Sequence, residues 1–171
     1  STVTSTITVA DVDDAPVLSG AGGTLAYTED DAATAIDTTL SLTDIDTTNM
    51  ASATITISSG YQSSEDVLAF TNANGITGSW NSGAGVMTLS GSATKANYEA
   101  ALESVTYQNS NSTDPDNTNR TITWLVNDGS SNSSAITSTI TVADVNDAPV
   151  LSGAGGTLAY TEGDEIGRAH V

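Results

Sequence analysis

An all-β, antiparallel sandwich with one short helix is the fold this sequence predicts, and three observations predict it. Runs such as Ser52-Ala53-Thr54-Ile55-Thr56-Ile57 alternate polar and apolar residues at period two, the spacing of a half-buried strand. Gly-, Asn- and Asp-rich turn signals separate these runs every several residues. A single stretch, Thr94 to Glu103, carries helical spacing instead. Many short strands with almost no helix argue for two packed sheets.

The chain also repeats itself. Ser5 to Glu29 recurs as Ser138 to Glu162 with one difference, Asp13 against Asn146, so the offset from 5 to 138 is 133 residues. A fixed period marks a tandem array. Residues 1–14 read as the last strand and linker of a preceding repeat, 15–147 as a complete repeat, and 148–162 as the first strand of the next. Residues 163–171 leave the pattern and read as an unstructured end or appended tail.

Taken in order, Val3, Ile7 and Val9 alternate with Thr4, Thr6 and Thr8 as the last strand of the preceding unit. Val17-Leu18 and Thr24 to Tyr27 flank a Gly-rich stretch, so the first strand of the repeat is expected to be split by a kink or bulge. Ala35 to Leu42 and Ala51 to Ile57 read as strands around an acidic loop, Thr43 to Asn49. Val67 to Phe70, Ile76 to Trp80 and Val86 to Leu89 read as short strands in an irregular middle, Tyr61 to Leu89. The helix has Thr94 as N-cap and places Tyr98, Leu102 and Val105 on one face. At that length it must lie against the sandwich to be stable. Val105 to Gln108, Thr121 to Val126 and Ala135 to Val142 complete the strands, with a polar loop from Asn109 to Asn119 and Trp124 as the expected core aromatic.

Composition narrows the function. The chain of 171 residues has 21 Asp and Glu against 3 Lys and Arg, a formal net charge of −18, which repels nucleic-acid phosphates and anionic lipid headgroups alike. Nucleic acid and direct membrane contact are not expected as partners. The body of the repeat has neither His nor Cys, so no Ser-His-Asp or Cys-His set can assemble there and catalysis is not expected. With no cysteine, stabilisation must come from elsewhere than disulfides.

Short-spaced acidic residues recur at the two linkers, Asp11-Val12-Asp13-Asp14 and Asp144-Val145-Asn146-Asp147, in the loop Asp44-Ile45-Asp46, and at Asp128. Hard oxygen ligands on irregular loops suit Ca²⁺, which takes six to eight oxygens, and without a cation such neighbours repel one another. The linker Asp144-Val145-Asn146-Asp147-Ala148-Pro149 after Ile140-Thr141-Val142 resembles the inter-repeat linker of cadherins, and Asp44-Ile45-Asp46 resembles their D-x-D loop. Tyr27-Thr28-Glu29 stands where cadherins place the first-strand glutamate, Val126-Asn127-Asp128-Gly129 matches their V-x-D-G segment, and Ala96-Asn97-Tyr98-Glu99 stands in for the L-D-R-E turn. The whole repeat looks like the cadherin-like units of giant bacterial surface adhesins.

That resemblance implies an immunoglobulin-like, cadherin-like sandwich on a cell surface, with calcium bound where one repeat meets the next. It implies that Asp44, Asp46 and Asp128 face the first junction with Asp11, Asp13 and Asp14, and that Glu29 and Glu99 face the second with Asp144, Asn146 and Asp147. The neighbouring repeats of the same chain are then the partners, and calcium is expected more readily at the first junction. Departures are Asn97 in place of the turn's aspartate, Asn49 one position early, and extra length in Tyr61 to Leu89.

Other readings are plainer. Asp114-Pro115-Asp116-Asn117 reads as a polar turn. Glu65-Asp66, Glu99 and Glu103 read as a solvated face, with Lys95 and Glu99 an exposed i, i+4 pair. The Thr runs fit β propensity, although a hydroxyl array for ice or carbohydrate, a glycan-contacting Tyr61 to Leu89 and homophilic adhesion stand as alternative functions. Asn111, Asn119 and Asn132 fit the glycosylation pattern, as chance allows in so Asn- and Ser-rich a chain.

Overall fold

Period-two alternation yields eleven strands and one helix among the described residues of the computed structural model, which covers residues 1–10, 12–153, 155–156 and 162. The strands are β1 (Val17–Ser19), β2 (Thr24–Thr28), β3 (Thr34–Ala35), β4 (Ser41–Thr43), β5 (Asn49–Ser59), β6 (Asp66–Ala69), β7 (Thr77–Asn81), β8 (Val86–Thr94), β9 (Thr106–Asn109), β10 (Arg120–Asn127) and β11 (Ile136–Ala143). The helix α1 (Lys95–Glu103) follows β8 directly. A six-stranded sheet runs β2-β11-β10-β5-β8-β7, and smaller sheets β3-β9-β6 and β1-β4 complete the strand pairing.

The inward residues of the large sheet, among them Tyr27, Ile140, Ile122, Trp124, Ile55 and Leu89, form one buried cluster with Leu18, Leu42, Leu68 and Tyr107 of the smaller sheets. Tyr98, Leu102 and Val105 join the same cluster, which is why so short a helix is stable. The helix begins at Thr94, whose hydroxyl accepts the Asn97 amide at 3.3 Å. Trp124 is buried as expected, and its indole N–H donates to Ser138 Oγ at 3.0 Å.

The sandwich departs from purely antiparallel order at one place. β11 pairs parallel with β2, Thr139 opposite Thr24 through Ala143 opposite Thr28. First and last strands therefore run the same way, and the chain enters at one end of the domain and leaves at the other. The end bearing Asp13, Asp14 and the Asp44–Asp46 loop is the first junction; the end bearing Glu29 and Asp144 is the second.

Other boundaries shift for local reasons. The expected strand Ala35 to Leu42 breaks into β3 and β4, because Asp37 turns inward: its Oδ2 accepts Ser138 Oγ at 2.7 Å and its Oδ1 accepts Thr39 N and Oγ1 at 3.1 and 2.7 Å. Residues 1–10 form no strand, and Val3, Ile7 and Val9 are exposed. The equivalent strand β11 is held by neighbours on both sides, which the preceding unit would supply for this segment. Residues 157–161 of the next repeat's first strand and the tail 163–171 lie outside the described residues. The expected irregular middle is built into two of the three sheets, β6 into the three-stranded one and β7 and β8 into the six-stranded one. Its Tyr61 packs edge-on to Trp80 at 6.2 Å between ring centroids.

Glu65-Asp66 is not a solvated face. Asp66 and Arg120 are buried, Arg120 with 0% exposure, and Nε of Arg120 donates to both Asp66 carboxylate oxygens at 3.1 Å. Nη2 lies 3.0 Å from Asp66 Oδ1, and Tyr107 donates to that same oxygen at 2.7 Å. Arg120 Nη1 also donates to the carbonyls of Asp116 and Thr118, pinning the turn at Asp114-Pro115-Asp116-Asn117. Glu65 accepts from the Asp116 amide at 3.0 Å and from the amides of Asn109 and Asn111. Burial raises the Glu65 carboxyl, but these hydrogen bonds and Arg120 outweigh it and lower the group below its ordinary value.

Arg120→Met leaves the Asp66 carboxylate buried without its cationic partner and is expected to cost about 3–5 kcal/mol in denaturant unfolding, with much of the loss recovered in Arg120→Met/Asp66→Leu. Asp37 is also held below its ordinary pKa: burial raises it, and the bonds from Ser138, Thr39 and Gly23 lower it by more. A depressed carboxyl contributes stability above its unfolded pKa and loses it as pH falls through the folded value. Asp37→Asn should therefore destabilise by about 1–3 kcal/mol at pH 7, and the difference from the native chain should shrink in unfolding curves taken below about pH 4.

Candidate cation sites at the two domain ends

The acidic loops sit where strands end, because a chain with so few basic residues cannot pair carboxylates across a sheet, and directly opposed like charges destabilise strands. At the first-junction end, the D-x-D loop follows β4 and the Asp128 loop joins β10 to β11. The two loops share one local device. Asp44 Oδ1 accepts the amides of Asp46 and Thr47 at 3.2 and 2.8 Å, and Asp128 Oδ1 accepts the amides of Ser130 and Ser131 at 2.7 Å each. One oxygen of each carboxylate shapes its own loop. The other, Asp44 Oδ2 and Asp128 Oδ2, is shielded from solvent and has no hydrogen-bond partner.

The linker joins these loops. Asp14 N donates to Asp46 Oδ2 at 2.9 Å, and Ser131 Oγ donates to Asp13 Oδ2 at 2.7 Å. The Asp14 amide, foremost among several hydrogen bonds, holds the Asp46 carboxyl below its ordinary pKa. Asp13, Asp14, Asp44, Asp46 and Asp128 thus gather at one end of the domain. Asp11 lies outside the described residues.

At the second-junction end, Glu29 follows β2 with 5% exposure. Its amide donates to Ala143 O at 2.9 Å, and its Oε1 accepts the Val145 amide at 3.0 Å. Oε2 has no partner. Burial, together with the negative charges of Asp144 and Asp147, raises the Glu29 carboxyl above its ordinary pKa against the pull of the Val145 amide. Asn146 is exposed and donates to Asp147 O at 3.1 Å.

Glu99 does not join Glu29. Its Oε2 accepts the Leu42 amide at 2.8 Å, against β4 and two residues before Asp44. The helix starts at the first-junction end, fixed by Lys95, whose ammonium donates to Asp44 O at 2.6 Å and Thr47 O at 2.7 Å. Glu99 is one turn further along and stays in that half of the domain. Lys95 is accordingly no exposed partner of Glu99. Sequence reasoning missed both Lys95 and Ser131 as participants; the signal for the first was that this acidic chain contains only one lysine.

Among the described residues, four shielded polar side-chain atoms lack a hydrogen bond, and three of them belong to Asp44, Asp128 and Glu29. The fourth is Arg120 Nη2, already ion-paired to Asp66. Buried polar atoms are rarely left unmatched. Among the described residues, no three acidic or histidine side chains converge on one point as a closed metal cage. The ends therefore carry shielded, unmatched carboxylate oxygens without forming a complete coordination shell among the described residues.

The chain is similar to a stretch of a mucin-named protein. Over 86 residues it is 38% identical to halomucin of Haloquadratum walsbyi, an alignment covering 47% of this chain and 1% of halomucin. The chain thus spans about one hundredth of that relative's length. No family model matches the chain, and no solved structure matches it. Among the described residues no helix is long and apolar enough to cross a membrane.

Without divalent cations, Glu29→Gln should raise the thermal midpoint by a few degrees. The amide keeps an acceptor for Val145 and puts a donor where the unmatched oxygen now lies among Asp144 and Asp147. Calorimetric melts in chelator check this, and a lowered midpoint would mean that charge crowding at this end is not a burden on the fold.

Proposed function

We propose that this chain is a calcium-binding spacer repeat of a long extracellular surface protein, stiffened when Ca²⁺ neutralises the carboxylates between successive repeats and supporting adhesion or biofilm formation. The observation that carries the reading is the trio of shielded, unpartnered carboxylate oxygens on Asp44, Asp128 and Glu29, found at the two ends of the domain where the linkers enter and leave. At the first junction Asp44, Asp46 and Asp128 would hold the ion with Asp13, Asp14 and the linker's Asp11. At the second, Glu29 would do so with Asp144, Asn146 and Asp147, joined by the following repeat.

Calcium supplies charge neutralisation and a rigid bridge; everything else follows from the chain. Hard carboxylate and carbonyl oxygens on loops favour Ca²⁺ over the softer metals that need His or Cys. The parallel pairing of β2 with β11 sends the linker out opposite to where it entered, so ion-locked units extend end to end. A relative named as a mucin and far longer than this chain supports the surface location and the repeated arrangement. Extracellular modules bind calcium with dissociation constants of about 10⁻⁴ to 10⁻³ M, a range that the medium outside cells can fill.

Calcium at about one hundred times its dissociation constant should stabilise the fold by about 2.7 kcal/mol, which for a domain of this size moves the thermal midpoint upward by roughly 5–10 °C. Melts in calcium and in chelator, paired with calorimetric titration, test it. Superimposable melts and no heat of binding would end the proposal.

A further inference from the structure

The oxygen-rich D-x-D loop is held from behind by a cation of the chain itself. Lys95 Nζ donates to the carbonyls of Asp44 and Thr47 at 2.6 and 2.7 Å, and the Lys95 amide meets Thr48 O at 3.4 Å. On the other side of the same loop, Asp44 Oδ1 closes the turn onto the amides of Asp46 and Thr47. Asp44 Oδ2 is shielded and left without a partner, while Asp46 Oδ2 accepts the linker's Asp14 amide. The ammonium is itself anchored, because Lys95 is the first residue of α1, and that helix is capped by Thr94 and buried through Tyr98 and Leu102.

We propose that Lys95 is the positioning residue of the first-junction calcium site: it satisfies the backbone carbonyls of Asp44 and Thr47 and so fixes the loop in the shape that leaves its carboxylate oxygens for the divalent ion. This rests on the calcium reading above and goes beyond it by naming what sets the geometry. Two effects compete. A positive charge beside the loop repels a second cation, whereas a preorganised ligand spares the ion the cost of ordering the loop. Short bonds to two carbonyls of the ligand-bearing loop favour preorganisation as the larger effect. Residues that orient metal ligands without touching the metal change affinity by about 10–100-fold when removed. Nothing in the period-two pattern of the sequence marks this role, since Lys95 lies fifty-one residues from Asp44.

The test is calorimetric titration of calcium into the intact chain well below its melting transition, in a Glu29→Gln background that takes the second junction out of the measurement. Global destabilisation does not alter the affinity of a chain that is fully folded at the working temperature, so the readout separates positioning from support of the fold. K95M is expected to bind calcium about tenfold more weakly, and K95Q, which keeps an N–H₂ donor group without the charge, to fall between K95M and the native residue. Equal or tighter binding by K95M overturns the inference, because the ammonium would then be a bystander or a repulsive charge. Where K95M does not fold, K95Q decides alone by the same criterion. If the chain with Lys95 intact takes up no calcium in either background, the calcium reading itself fails, an outcome distinct from an affinity that ignores position 95.

Discussion

The parallel pairing of β2 with β11 is the constraint on which the rest of this domain depends. An antiparallel closure would bring the first and last strands' outer ends together and send the chain out where it came in. Running both strands the same way separates entry from exit by the length of the sheet. The Glu29 amide continues the same ladder by donating to Ala143 O, so the carboxylate of Glu29 is delivered beside the departing linker by backbone geometry. The bond from Val145 N to Glu29 Oε1 then fixes that linker's first step.

Charge is distributed to match. The outward positions of the large sheet are mostly Thr and Ser, including Thr54, Thr56, Thr88, Thr121, Thr123, Thr139 and Thr141. A chain with almost no cations cannot alternate signs across strands, and uncharged β-branched residues fill the wet face without repulsion. Carboxylates are displaced to loops at the two ends, where three of their shielded oxygens are left without a hydrogen-bond partner. The two basic side chains in the described part of the repeat both sit among these loops. Arg120 gathers Asp66, the Asp116 turn and the Thr118 carbonyl into a buried knot, and Lys95 holds the D-x-D loop.

Much of this was legible in the residues. Strand alternation gave most elements within a residue or two, the split first strand followed from Gly20, Gly22 and Gly23, and Thr94 announced the helix. Two of the failures trace to an inward polar side chain. Ala35 to Leu42 looks like a continuous strand until Asp37 is seen to be buried against Ser138, and Glu65-Asp66 looks solvated until Arg120 is found beneath it. The deciding partners stand 101 and 54 residues away, beyond the reach of any local pattern. Asp13, Asp14, Asp44, Asp46 and Asp128 lie at one end of the domain, and the direction of its helix keeps Glu99 in that same half, away from Glu29.

The sequence by itself determined the class of fold, the period of the array and the kinds of oxygen at its borders, because alternation, repetition and composition are local and survive without a partner. Only the tertiary structure decided which carboxylate oxygen is spent on its own loop and which is left free, and which end of the domain each acidic residue serves. Those outcomes depend on strand direction and on hydrogen bonds closed across the whole chain, and such contacts exist only once the sheets have packed.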